Sequence, residues 1–170
     1  MNDNCLVCIL CFFPLVTRGI LVWVFWHQME EILSEAENDR ETHRSLILAF
    51  AGFSFTGAFA LIVLEPTLRI MVQNPVLFLL VSFLVYLWAL NLQSYKSYRW
   101  QDQVSTALLD TGSLCLVLAL VSLLFSSNFE SSFIGLTSGL AVLVWISDYI
   151  IRFCIDLKYM QKRDKKKIKG

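Results

Sequence analysis

Three ionisable residues lie inside otherwise apolar segments of the chain: Arg18, Asp110 and Asp148. An ionised side chain near the centre of a membrane costs roughly 2.5–3.5 kcal/mol or more, so such residues normally face other helices or a wet cavity. If Arg18 pairs with Asp110, with Asp148 or with both, the result is an intramembrane charge cluster that either stabilises a bundle or lines an ion or proton path. In the alternative, Arg18 extends toward the lipid headgroups. Asp148 then pairs with Arg152 one turn along its own helix, and Arg152 meets Asp156.

A polar stripe surrounds Asp110. Four polar residues recur at spacings of three and four, which places them on one face of a helix: Gln103, Thr106, Asp110 and Ser113. Such a face belongs against another helix or a water-filled groove. The expected role is hydrogen bonding between helices, at about 0.6–2 kcal/mol per contact, and the alternative is the lining of a pathway.

Motifs for catalysis or metal binding are not recognisable in the sequence. The two histidines, His27 and His43, lie in or beside an acidic loop and have no neighbouring nucleophile. Cys5, Cys8 and Cys11 resemble part of a metal site but lack a fourth ligand, and their apolar neighbours disfavour the thiolate. We expect packed or lipid-facing cysteines, with palmitoylation of Cys5 or Cys8 as a further hypothesis in a eukaryotic host. The sequence therefore predicts no enzymatic activity, no metal and no cofactor.

The elements that position these residues follow from composition. Of 170 residues, 56% are hydrophobic and 16% are charged, which is too apolar to cover a soluble globule with polar surface. A helix needs about 20 apolar residues to cross a bilayer. Five such segments predict an all-α integral membrane helix bundle over residues 1–157, with helices at about 5–26, 45–64, 75–92, 104–125 and 133–155. The first segment contains Pro14 and Arg18, so a re-entrant helix is the alternative there.

Charged residues between and after the helices predict the orientation. Residues 27–44 form an acidic loop, and residues 158–170 form a basic tail. Because basic residues are retained in the cytoplasm, the tail and the acidic loop are placed there, and the N-terminus is placed on the opposite side. We expect the tail to contact lipid headgroups through its basic side chains: Lys162, Arg163, Lys165, Lys166, Lys167 and Lys169.

Small residues at helical spacing predict sites of close helix packing. Gly135 and Gly139 form a GxxxG step, and Gly52, Thr56 and Ala60 form a second ladder. Small side chains let backbones approach closely, which is how helices associate in lipid. Packing within one chain is favoured here over packing between protomers.

These features together favour a non-enzymatic interaction or regulatory subunit of a membrane complex. Its expected surroundings are the lipid bilayer and a membrane-protein partner or a second copy of itself, without nucleic acid. The alternative is an oligomeric ion channel or small transporter that uses the intramembrane residues Asp110, Asp148 and Arg18.

Overall fold

The computed structural model describes residues 12–26, 37–63, 73–94, 98–126 and 130–168, of which 37–43, 94 and 163–168 are described by their backbone alone. Five helices follow one another in this part of the chain: α1 (Phe13–Val24), α2 (Glu37–Val63), α3 (Gln73–Ser94), α4 (Arg99–Phe125) and α5 (Ser131–Ile168). The predicted all-α helix bundle is confirmed.

Four of the helices are long and apolar enough to cross a membrane. The segments that meet this requirement are Arg44–Val63, Gln73–Gln93, Arg99–Phe125 and Ser131–Lys162. The helix α1 has 12 residues and extends over about 18 Å. The predicted first segment begins at residue 5, and its first seven residues lie outside the described part of the chain.

Two helices extend beyond the segments that hydropathy indicates. The helix α2 begins at Glu37, within the predicted loop 27–44, and α5 continues to Ile168, through most of the predicted tail 158–170. Both extensions lack Gly and Pro and are rich in Glu, Lys and Arg, which are good helix formers. Within the described residues, the charged segments 37–44 and 156–168 therefore prolong the two helices.

The helix α4 occupies the centre of the bundle. It packs against α1, α3 and α5, while α2 packs against α3. Small buried residues recur seven positions apart on the facing sides of three helices: Ala51 and Ala58 on α2, Ser82 and Ala89 on α3, and Ser105, Gly112 and Ala119 on α4. Seven residues make two helical turns, so these side chains are aligned and let the backbones approach.

The closest approach between α3 and α4 is at Gly112. A Cβ atom added there would lie 2.9 Å from two ring carbons of Tyr86. Ser82, one turn before Tyr86, donates its hydroxyl to the Gly112 carbonyl oxygen at 2.9 Å and lies 3.2 Å from the hydroxyl of Ser54 on α2. One hydroxyl group thus connects three helices.

Candidate functional site

A buried arginine connects three helices at one end of the bundle. Arg18 lies in the middle of α1, which accommodates Pro14 because the first turn needs no backbone donor. Its side chain is 1% exposed. Nε donates to Oδ2 of Asp110 at 3.0 Å, and Nη1 donates to Oε1 of Gln103 at 3.0 Å and to Oδ2 of Asp156 at 2.7 Å. The planar guanidinium therefore attaches α1 to both α4 and α5.

A second arginine approaches the same carboxylate from α5. Nη1 of Arg152 lies 2.8 Å from Oδ1 of Asp110, close enough for an ion pair although the two atoms lack hydrogen-bond geometry. Nη2 of Arg152 bonds to Asp148 one turn earlier on α5. We call the six connected residues the charge cluster: Arg18, Gln103, Asp110, Asp148, Arg152 and Asp156.

The charge cluster extends from the core to the surface. Side-chain exposure is 0% at Asp110, 40% at Arg152 and 59% at Asp148. The cluster contains three carboxylates and two guanidinium groups, so each arginine has two acidic neighbours. Such an arrangement compensates each buried charge, which is the condition for keeping ions in a low-dielectric interior.

The structure gives Arg18 a different set of partners from the one that the sequence suggested. Asp110 is common to both, but Asp148 is joined to Arg18 only indirectly, through Arg152 and Asp110. Asp156 was considered only as a neighbour of Arg152, and it instead accepts a hydrogen bond from Arg18. Its position eight residues after Asp148, on the same side of a helix, was the available signal. The predicted helix end at residue 155 left it outside.

The predicted polar stripe on α4 divides into contacts of two kinds. Gln103 and Asp110 bind Arg18, and Ser113 accepts a hydrogen bond from the indole nitrogen of Trp145 on α5 at 2.9 Å. Thr106 donates to the carbonyl oxygen of Asp102 on its own helix. Three members of the stripe therefore connect α4 to α1 or α5.

Aromatic side chains join α1 and α5 beside the charge cluster. The hydroxyl groups of Thr17 and Tyr149 share a hydrogen bond. The Tyr149 ring lies 6.0 Å from that of Phe13 and is stacked on that of Trp145 at 5.4 Å between ring centroids. These rings also line a largely apolar groove of about 570 Å³ that opens between α1, α4 and α5.

The predicted packing ladders face away from the bundle. Gly52, Thr56 and Ala60 on α2 are exposed, as are Gly135 and Gly139 on α5. A Cβ atom added at any of the three glycines would meet no atom within 4 Å. Packing within one chain was the favoured expectation, whereas the described helices make their contacts through other small residues.

Several predicted residues lie outside what the structure describes. Of the six basic residues expected to contact lipid, Lys162 is exposed. The next four belong to the backbone of α5 without described side chains: Arg163, Lys165, Lys166 and Lys167. Lys169 and the early cysteines lie outside the described residues: Cys5, Cys8 and Cys11.

Comparisons with protein-family models, with curated proteins and with solved structures found no match to this chain. The function has to be inferred from the charge cluster and from the outer faces of the helices.

Proposed function

We propose that this protein is a non-catalytic, multi-pass membrane subunit that binds another membrane protein through its outer helix faces. The observation that carries the proposal is that two ladders of small residues are exposed and do not take part in the packing of the described helices against one another. The bundle packs α2 through Ala51, Ser54 and Ala58, while a second ladder on the same helix, which starts at Gly52, is exposed. The GxxxG step of Gly135 and Gly139 on α5 is exposed as well.

Exposed glycines at GxxxG spacing have a physical use when another helix packs on them. Lipid tails are as apolar as leucine, so helices in a bilayer associate through close backbone contact and dispersion. Val142 and Ile146 follow Gly135 by 7 and 11 residues on the same face of α5, and both line the apolar groove. The GxxxG step and the apolar groove form one continuous surface on which a partner helix can pack.

The charge cluster supports the same proposal as a structural element. It fixes α1 and α5 to the central helix α4, which keeps the outer faces in a defined arrangement. A rigid surface binds a partner with a smaller loss of conformational entropy.

The alternative function, an oligomeric channel or small transporter that uses Arg18, Asp110 and Asp148, has less support. The charges of the cluster bind one another. Beyond Ser113, the buried residues of α4 within the described part are apolar or small: Leu114, Cys115, Leu116 and Ala119. A pathway through them would lack polar groups to replace the hydration of an ion.

The proposal includes an orientation, with the basic end of α5 and the loop 27–44 in the cytoplasm. This orientation is supported by the seven basic residues between 158 and 169, because such residues resist translocation.

The experiment is recovery of the protein from its native membrane in a mild detergent, with the mass of the complex and its components measured. We expect a defined hetero-complex. Gly52→Leu or Gly139→Leu should lower partner recovery at least tenfold, because the added side chain occupies the contact without touching the protein's own core. Matched controls are Ile62→Leu on α2 and Val144→Leu on α5, which change exposed side chains on other faces of the two helices.

Two results would contradict the proposal. One is a homo-oligomer without stoichiometric partners, which would favour the channel and make the conductance of Asp110→Asn the next measurement. The other is undiminished partner recovery with both glycine variants while the controls behave in the same way.

A further inference from the structure

The outward face of α5 changes from apolar to basic without leaving the same side of the helix. Ile151 and Ile155 are 59% and 60% exposed, and Lys158 and Lys162 are exposed too. These four residues have spacings of 4, 3 and 4, so they form one stripe along the helix. The opposite side of α5 faces the bundle, where Met160 is buried against Leu21 of α1.

The length of α5 determines how far Lys158 and Lys162 lie from the hydrocarbon layer. Its 38 residues extend over about 57 Å, whereas the hydrocarbon layer is about 30 Å thick and takes about 20 residues. If the hydrocarbon begins near Ser131, it ends near Ile151. Lys158 then lies about 10 Å further along, and its flexible stem can reach back to the headgroup layer.

We infer that Lys158 and Lys162 form a binding face for anionic phospholipid headgroups. Phosphate groups of anionic lipids attract basic side chains that lie near the membrane surface. Both lysines continue the stripe that begins at Ile151, at the edge of the hydrocarbon layer, so the groups nearest to them are the headgroups of the lipids on that side of α5. Lys165 occupies the next position of this stripe in the α5 backbone, seven residues after Lys158.

The acidic loop 27–44 is the competing occupant of this face. Electrostatic attraction alone would allow a contact between the loop and the basic end of α5. The direction of the stripe argues for lipid, because Lys158 and Lys162 lie on the side of α5 opposite to Met160, which faces α1. The inference requires only that α5 crosses the membrane and is independent of the partner protein proposed above.

The test uses the full chain reconstituted in bilayers of phosphatidylcholine with a minor fraction of phosphatidylglycerol. Spin-labelled forms of each lipid report its association with the protein by electron paramagnetic resonance. We expect the protein to prefer phosphatidylglycerol several-fold, and the preference to fall as sodium chloride screens the charges. Lys158→Gln combined with Lys162→Gln should remove at least half of it.

Two control variants separate this face from a general effect of charge. Lys158→Arg with Lys162→Arg should retain the preference, because the charge stays in place. Arg163→Gln with Lys167→Gln removes the same charge from helical positions on the other side of α5, and it should leave most of the preference. An equal loss in that variant would overturn the inference, as would equal association of both lipids with the unmodified protein. Chemical cross-linking of Lys158 to the loop 27–44 with no lipid preference would assign the face to the loop.

Discussion

Nε of Arg18 lies 3.0 Å from Oδ2 of Asp110, a residue 92 positions further along the chain, and both side chains are almost completely buried. Neither charge has bulk water to solvate it, so each depends on the other for compensation. The pair therefore helps to hold the short helix α1 to the centre of the bundle, together with the hydrogen bond from Arg18 to Gln103.

Replacement of Arg18 is expected to destabilise the bundle strongly. Arg18→Leu leaves the buried Asp110 with Arg152 as its one remaining ion-pair partner among the described residues, and the loss of one partner of a buried ion pair costs about 3–5 kcal/mol. The free energy of unfolding in mixed micelles measures the change. The double variant with Asp110→Asn should recover part of the loss, since it removes the uncompensated carboxylate. A loss below about 1 kcal/mol for Arg18→Leu would contradict the structure.

The two aspartates bound to Arg152 are expected to differ in importance. Asp110 is fully buried and faces two guanidinium groups, whereas the Asp148 side chain is 59% exposed and pairs within its own helix. Asp110→Asn should cost several-fold more stability than Asp148→Asn, for which an exposed pair predicts less than about 1 kcal/mol. Unfolding curves of the two variants, measured side by side, give the two losses of unfolding free energy. Equal losses would show that Asp110 is not the more deeply buried of the two aspartates.

Gly112 is expected to tolerate no side chain. In Gly112→Ala the new Cβ would lie 2.9 Å from ring carbons of Tyr86, and such overpacking costs about 1–3 kcal/mol. Tyr86→Leu should relieve the contact, so the double variant should show a smaller penalty for the alanine. The control is Gly139→Ala, where the added atom meets nothing within 4 Å. Comparable losses at both glycines would refute this account of the packing.

Ser82 is expected to contribute a modest amount to stability. Ser82→Ala removes the hydroxyl that bonds to the Gly112 carbonyl oxygen and contacts Ser54. Hydrogen bonds between membrane helices average about 0.6 kcal/mol, with a maximum near 1.7. Ser54→Ala should add little on top of Ser82→Ala, because both act on one network. Full additivity in a double-mutant cycle would show that the two hydroxyl groups act independently.

Four of the described helices could be located from the sequence because each contains an apolar run long enough to cross a membrane, and the shorter α1 lies within a fifth apolar run. Arg18 and Asp110 were conspicuous for the same reason, as ionised groups within such runs. Their exact partners depend on the rotation of each helix and on its depth, which hydropathy does not encode. Asp156 was missed as a partner of Arg18 because hydropathy decreases at residue 155 while the helix continues.

The sequence could not show which face of α2 packs against the bundle, and the reason here is a different one. Ala51, Ser54 and Ala58 form one ladder of small residues, and the outward ladder begins one position later at Gly52. In a soluble helix, polar residues would identify the outer side. In a helix with lipid on one side and protein on the other, both sides are apolar, so the two ladders look alike until the neighbouring helix is known.

Every partner of Arg18 within the described part of the chain is synthesised after it. Gln103 follows by 85 residues, Asp110 by 92 and Asp156 by 138. During translation, α1 therefore carries an uncompensated charge until α4 has been made, and the set is complete only when α5 has followed. Chains that stop before α5 would keep an arginine without its Asp156 partner, so the ion pairs of Arg18 can be completed only once α5 has been synthesised.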